Sequence, residues 1–243
     1  MKFTLRQIID SLPEKKNSKS SLWVKIVVRK VSFLFTYFFI NIGCSAWDVS
    51  MLSVLVAVIG SVLLMSNYYV LTVVGMLLIE LWLVLDCVDG NIARCKKESS
   101  ELGSFVDALS GYYISAFLYL AVGVGAYHFS RLVEFRYTFL IMGAISSAAG
   151  ILARLIHQKY TYTMLVMRDG NEKSKLSEEV EHKGSIQYLR SRVDKELGLS
   201  GLLMPFLIIA SIFNLYEVFT VFYFLFQTCS LIAVTMYYAM KCR

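Results

Sequence analysis

Proline, histidine and charge are all scarce in this 243-residue chain, which has two prolines, three histidines and 17% charged residues. So little proline leaves long apolar runs unbroken. The five cysteines (Cys44, Cys87, Cys95, Cys229 and Cys242) have neither metal-type spacing nor the spacing of a disulfide framework. Four of them fall near expected cytoplasmic helix ends, so reduced thiols are expected. His128 and His182 fit no metal pattern. Met1 to Lys30 is polar and basic, without an early apolar core or a small-residue cleavage site, so no cleavable signal peptide is expected. What abounds is apolar surface: 57% of residues are hydrophobic. Several uninterrupted apolar stretches approach the roughly 20 residues that cross a bilayer, which excludes a soluble helical bundle. The net charge of +6 implies no nucleic-acid partner, because the basic residues flank these stretches, where anionic lipid head groups are the natural neighbours.

The spacing predicts an all-α integral membrane protein with six spans at residues 49–67, 70–88, 104–127, 137–156, 199–214 and 217–238. The fifth is short and is expected to borrow length from its flank or to sit against a thinned bilayer. Lys and Arg fix the orientation. Of the 24, only Arg131 and Arg136 lie in the loops 67–69, 128–136 and 214–216. The basic side is assigned to the cytoplasm, so both termini are expected there. Residues 21–42 are basic and then rich in Phe, Leu and Ile. Too short to span, they are expected to form an interfacial amphipathic helix. The expected organisation is an N-terminal cytoplasmic or interfacial segment, 1–42, and a transmembrane catalytic domain, 43–243. A charged cytoplasmic loop is expected at about 158–198, helical around Glu178 to Arg192.

The informative residues start at the cytoplasmic end of the second span and run Asp86-Cys87-Val88-Asp89-Gly90-Asn91-Ile92-Ala93-Arg94, then on through Gly103 to Asp107-Ala108-Leu109-Ser110-Gly111. Acidic residues at the edge of a span are costly and mark function. Asp86 and Asp89, three apart, share a helix face. Asp107 lies about one turn into the next span, which returns antiparallel, so three carboxylates can converge at one depth. Such a group repels itself unless a cation neutralises it, and an all-oxygen site suits Mg²⁺ or Mn²⁺. Gly90 and Ala93 leave room for a ligand against the helix, Arg94 offers a forked donor for phosphate, and Gly103 permits close approach.

This spacing resembles the signature of the CDP-alcohol phosphatidyltransferase family, D-x2-D-G-x2-A-R-x8-G-x3-D-x3-D. Asp86, Asp89, Gly90, Ala93, Arg94, Gly103 and Asp107 match it in register. The resemblance implies six spans, a cytoplasmic-facing site and a homodimer. It also implies that the motif aspartates hold a divalent metal pair while Gly90, Ala93, Arg94 and Gly103 hold the CDP portion. The expected activity is transfer of a phosphoalcohol group from a CDP-alcohol to a lipid or lipid-phosphate co-substrate, with release of CMP, in phospholipid or surface-glycan lipid synthesis.

One position departs. The family's last aspartate, the general base in the resemblance, falls at position 111, which is Gly111. Three explanations stay open: a catalytically dead relative serving as a membrane binding or assembly protein, another base such as Ser110 through water or Asp107, or an acceptor needing no base. A hydroxyl must lose a proton, and a positioned base contributes about 10²–10⁴-fold. An anionic acceptor such as a polyprenyl phosphate needs no such help.

Other residues carry weaker signals. Arg154, His157 and Lys159 end the fourth span, and Arg154 and Lys159 are candidates for binding an anionic acceptor, with head-group anchoring the alternative. Arg190, Arg192 and Lys195 share that ambiguity. Asp48 and Ser50 resemble loosely a turn that precedes the family's first span, with Asp48 as a plain helix cap the alternative. Glu80 lies inside the second span, about 240° around the helix from Asp86, and is expected to pair across helices or face a cavity. Ser146 to Gly150 permit close helix packing, within the molecule or between two copies.

Overall fold

The computed structural model describes residues 3–13, 17, 20–97, 101–167, 198 and 201–241. Among these there is no strand. The long helices are α3 (Ala46–Leu64), α4 (Tyr69–Lys96), α5 (Glu101–Phe129), α6 (Arg136–Met167) and α8 (Tyr216–Lys241). Five helical stretches are long and apolar enough to cross a membrane, and a ten-residue apolar helix, α7 (Leu203–Ile212), lies between α6 and α8. The chain is an all-α membrane protein. At 1.5 Å per residue α7 is about 15 Å long, half the hydrocarbon thickness. Its apolar reach fits the short fifth span expected at 199–214.

Local chemistry sets the boundaries. Ser45 caps α3: its Oγ accepts from Asp48 N–H at 3.2 Å, and Asp48 Oδ2 accepts from Ser45 N–H at 2.8 Å. Asp48 is thus the reciprocal third residue of a capping box and not the cap itself. α4 does not stop where hydropathy falls at residue 88 but runs on to Lys96 and ends with Lys97 in the left-handed conformation at φ 55°. Hydropathy marks where a helix leaves lipid, and backbone hydrogen bonding continues past that point. Asp89 to Arg94 are therefore helical, beyond the apolar span expected to end at residue 88 and as the shared helix face of Asp86 and Asp89 requires. α6 likewise runs through Met167. At about 48 Å it outreaches the bilayer, so residues 158–167 of the expected charged loop are helical. The remainder of that loop, including Glu178 to Arg192, Arg190 and Lys195, lies outside the described residues.

α3 packs against both α4 and α5, α5 against α6, and α6 against α8, while α7 rests on α4 and α8. Two seams are very tight. A Cβ on Gly75 would lie 2.5 Å from Leu64 N and 2.7 Å from Gly60 O, and one on Gly143 would lie 2.8 Å from Gly123 Cα. The Ser146–Gly150 stretch is used within the molecule: Ser147 Oγ accepts from Leu120 N–H at 2.9 Å, and Gly150 faces Gln227. Leu55, Ile59, Ile141, Leu225 and Ile232 point outward, as lipid contact requires. At the ends of the bundle away from the signature, cross-helix bonds lace the turns. Tyr69 donates to Ile212 O at 3.1 Å, Asn214 Nδ2 to Phe129 O at 3.2 Å, and Glu217 Oε1 accepts from Ser130 Oγ at 2.6 Å and Arg131 N at 2.7 Å.

The N-terminal segment is built onto the signature helix. α1 (Leu5–Asp10) carries its own capping box, Thr4 with Gln7. α2 (Arg29–Asn41) follows a π-helical stretch, Val24–Val28. Asn41 clips the two together, accepting from Phe3 N at 2.9 Å and donating to Phe3 O at 3.1 Å. α2 buries Arg29, Ser32, Thr36 and Ile40 and exposes Leu34, Tyr37, Phe38 and its C-terminal neighbour Ile42. The amphipathic pattern is real, but its small polar stripe faces protein. Ile8 and Ile40 join Val49, Leu85, Val88 and Ile92 in a second apolar cluster at the signature end.

Candidate active site

α4 brings the first half of the signature to one place. Leu85, Val88 and Ile92 turn into the apolar cluster with α1–α3, which fixes the rotation of the helix. The neighbouring stripe presents Asp86, half-buried, and Asp89, 7% exposed. Asp89 is oriented from α3, because buried Ser50 donates through Oγ to Asp89 Oδ2 at 2.5 Å. An ionised acceptor makes this a strong, short bond. The signal for Ser50 was its loose likeness to the family's pre-span turn, and its partner turns out to be a signature carboxylate.

Gly90 and Arg94 work as a pair. Arg94 folds back along its own helix, and a Cβ on Gly90 would lie 3.2 Å from Arg94 Nη1. Arg94 Nη2 donates to Asn91 Oδ1 at 2.5 Å. Asn91, fully buried, in turn donates through Nδ2 to Thr36 Oγ1 at 3.0 Å and Ser32 Oγ at 3.4 Å. Asn91 was not singled out from sequence. It falls in a variable position of the signature, and its signal was a polar residue on the apolar-facing side of α4. Ala93 is half-buried one turn from Gly90. Glu80 pairs across helices as one of its two expected roles required, accepting from Trp23 Nε1 at 3.4 Å.

α5 carries the second half. Gly103 is half-buried in its first turn and Ser110 is buried. Asp107 lies in the helix between them, but its side chain falls outside the described residues. α3, in contact with both α4 and α5, holds the two halves in one frame. Gly111 is half-buried, and its carbonyl accepts from Arg154 Nη1 at 3.0 Å. A Cβ at position 111 would lie 3.2 Å from that same nitrogen. A guanidinium from α6 therefore occupies the neighbourhood of a side chain that Gly111 lacks. Lys159 is not brought to this point, since its Nζ lies over the Tyr162 ring, 5.5 Å from the centroid.

The family model for CDP-alcohol phosphatidyltransferase matches residues 45–177, more than half of the chain. The chain belongs to that family. Comparison with curated proteins gave no match. The matched region begins at the cap of α3 and takes in Ser50, the whole signature and Arg154. Transfer of a phosphoalcohol group in lipid synthesis is the general activity of such transferases, which generally depend on a divalent metal. The donor set fits that requirement: Asp86 and Asp89 offer carboxylate oxygens on one helix face, the ligands a hard divalent cation prefers. Among the described residues no three His, Cys, Asp or Glu side chains form a metal-holding group. Asp107, the third expected ligand, is the one whose side chain is not described. All four described cysteines (Cys44, Cys87, Cys95 and Cys229) are free thiols.

Proposed function

We propose that this transferase moves the phosphoalcohol group of a CDP-alcohol onto a membrane-bound acceptor at the signature face, releasing CMP. The carrying observation is the single helical stretch Asp86–Arg94. Its Asp89 carboxylate is held by Ser50 of α3, and its Arg94 guanidinium by Asn91, which is itself anchored to Ser32 and Thr36 of α2. An acceptor oxygen attacks the phosphorus bonded to the alcohol, the anhydride P–O bond breaks, and CMP leaves with the electron pair. Asp86, Asp89 and Asp107 would hold Mg²⁺ or Mn²⁺, which when bound supplies neutralisation of charge on the departing phosphate. Gly90, Ala93 and Gly103 give the donor room against the helices, and Arg94 binds phosphate. Homodimerisation and a cytoplasmic site in a bacterial inner membrane belong to the same proposal. The test is CMP release by the purified protein in lipid with Mg²⁺ or Mn²⁺, across a panel of CDP-alcohols and acceptors. Release that vanishes in Asp89→Asn supports the reading. No release from any pair leaves the catalytically degenerate alternative, a membrane binding or assembly protein.

A second reading concerns the acceptor, and the Arg154–Gly111 contact favours it. Where a base carboxylate would draw a proton from a hydroxyl, this site sets a cation. A guanidinium has no lone pair with which to take a hydroxyl's proton, and it attracts an anion instead. An acceptor that is already a phosphate, such as a polyprenyl phosphate, has no proton to lose and finds Arg154 as its counter-charge. The product then carries a diphosphate linkage, one anhydride replacing another. Gly111→Asp is expected to raise turnover with hydroxyl acceptors and lower it with lipid phosphate. Efficient hydroxyl transfer by the unmodified protein would sink this reading.

A further inference from the structure

Arg29 is a buried guanidinium that the signature does not account for. It is 6% exposed on α2, outside the family's matched region. Among the described residues its hydrogen-bond partner is the neutral Ser20 Oγ, taken by Nη2 at 2.9 Å, while its Nε is buried without one. Arg94 Nε is buried and without a partner as well. A buried cation left in this state is costly unless something anionic completes it.

Its position follows from the contacts on either side. Trp23 meets Glu80, and Ser32 and Thr36 meet Asn91, at sequence offsets of 57, 59 and 55 residues. α2 therefore runs parallel to α4, and the same offset sets Arg29 level with Asp86. Arg29 and Arg94 are close enough to feel each other's charge. Two guanidiniums, one from each helix, thus lie within each other's field near the depth of the metal-type aspartates, each with a buried Nε–H that meets no acceptor among the described residues. Like charges held together in this way are the protein half of a phosphate site.

We propose that Arg29 is a second phosphate-binding residue, which grips the diphosphate of the nucleotide donor together with Arg94 and so makes the N-terminal helix part of the active site. This rests on the CDP-alcohol reading above. The ligand chemistry is a phosphate or diphosphate anion, and the donor is the source the placement favours.

The test is binding of CDP, of cytidine and of inorganic phosphate to the full-length protein in lipid with Mg²⁺, comparing wild type, Arg29→Gln and Arg29→Lys. A lost charge-assisted bond predicts CDP binding weakened about 10- to 100-fold in Arg29→Gln. Cytidine binding should be unchanged and Arg29→Lys intermediate. Should Arg29→Gln not fold, the Lys variant decides, since an ammonium keeps the charge but loses the fork. CDP affinity in the variants equal to wild type overturns the role of Arg29 and leaves the transferase reading intact. Equal loss of CDP and cytidine binding also overturns it, in favour of a purely structural Arg29. Weakened binding of inorganic phosphate with CDP untouched would assign Arg29 to an acceptor and overturn the donor assignment. A wild-type protein that binds no CDP removes both ideas together.

Discussion

Gly90 matters for what its absent side chain allows. Arg94 lies back over it, and a Cβ at this position would stand 3.2 Å from Nη1. Alanine is the better helix former by about 0.5–1 kcal/mol, so Gly90→Ala separates stability from function. The melting temperature is expected to hold or rise while the KM for the CDP-donor increases, readable by thermal unfolding alongside CMP release. Ser50 acts in the opposite sense, by presence. Its bond to Asp89 is charge-assisted, and such bonds are worth about 1.5–3 kcal/mol. Ser50→Ala is therefore expected to lower turnover about tenfold or more with the fold intact, and full activity would show that Asp89 needs no such orientation. The seven signature positions were legible because they are fixed by spacing alone. Ser50 and Arg154 were only half legible, because their meaning depends on which helix lies opposite.

α2 shows how an element can be read from sequence without its packing. Its length and its Phe- and Leu-rich composition announce an interfacial helix, yet the stripe Arg29, Ser32, Thr36 is buried against protein. Periodicity reveals that a helix has two faces and is silent on which neighbour takes the polar one. Asn91 makes the docking specific, with bonds to α2 on one side and Arg94 on the other. Asn91→Leu leaves Arg94 Nη2 short of an acceptor and α2 short of its anchor. The expected cost is about 1–3 kcal/mol, seen as faster proteolysis within residues 1–42, with Thr36→Val milder. Unchanged protease resistance would mean that the apolar contacts of Ile8 and Ile40 hold the segment by themselves. The ends of α4 and α6 were illegible for a related reason: a helix may leave lipid and keep its hydrogen-bond ladder.

For the whole molecule, the alternation of long apolar runs with short loops was enough to give the bundle, because a continuous apolar run of about 20 residues crosses a bilayer only by satisfying its backbone within itself, as a helix does. Which helices touch was not legible, since lipid-facing and protein-facing positions are both apolar. Glycine pairs decide it, Gly60 with Gly75 and Gly123 with Gly143. A leucine at Gly75 has nowhere to go, and Gly75→Leu is expected to abolish recovery of folded protein. Topology is open to direct measurement. With Val133, which is exposed, replaced by cysteine, an impermeant thiol reagent is expected to label intact cells, and a C-terminal tag is expected to stay protected. The reverse pattern would invert the positive-inside assignment. The lacing of Tyr69, Asn214 and Glu217 across the far turns has a directional consequence. Lacing among the described far turns favours traffic at the opposite end, so under the proposed function both substrates would enter and the product would depart on the side where the chemistry occurs. The proposed transfer would then trade head groups within one leaflet, and a product needed on the other would require a separate flippase.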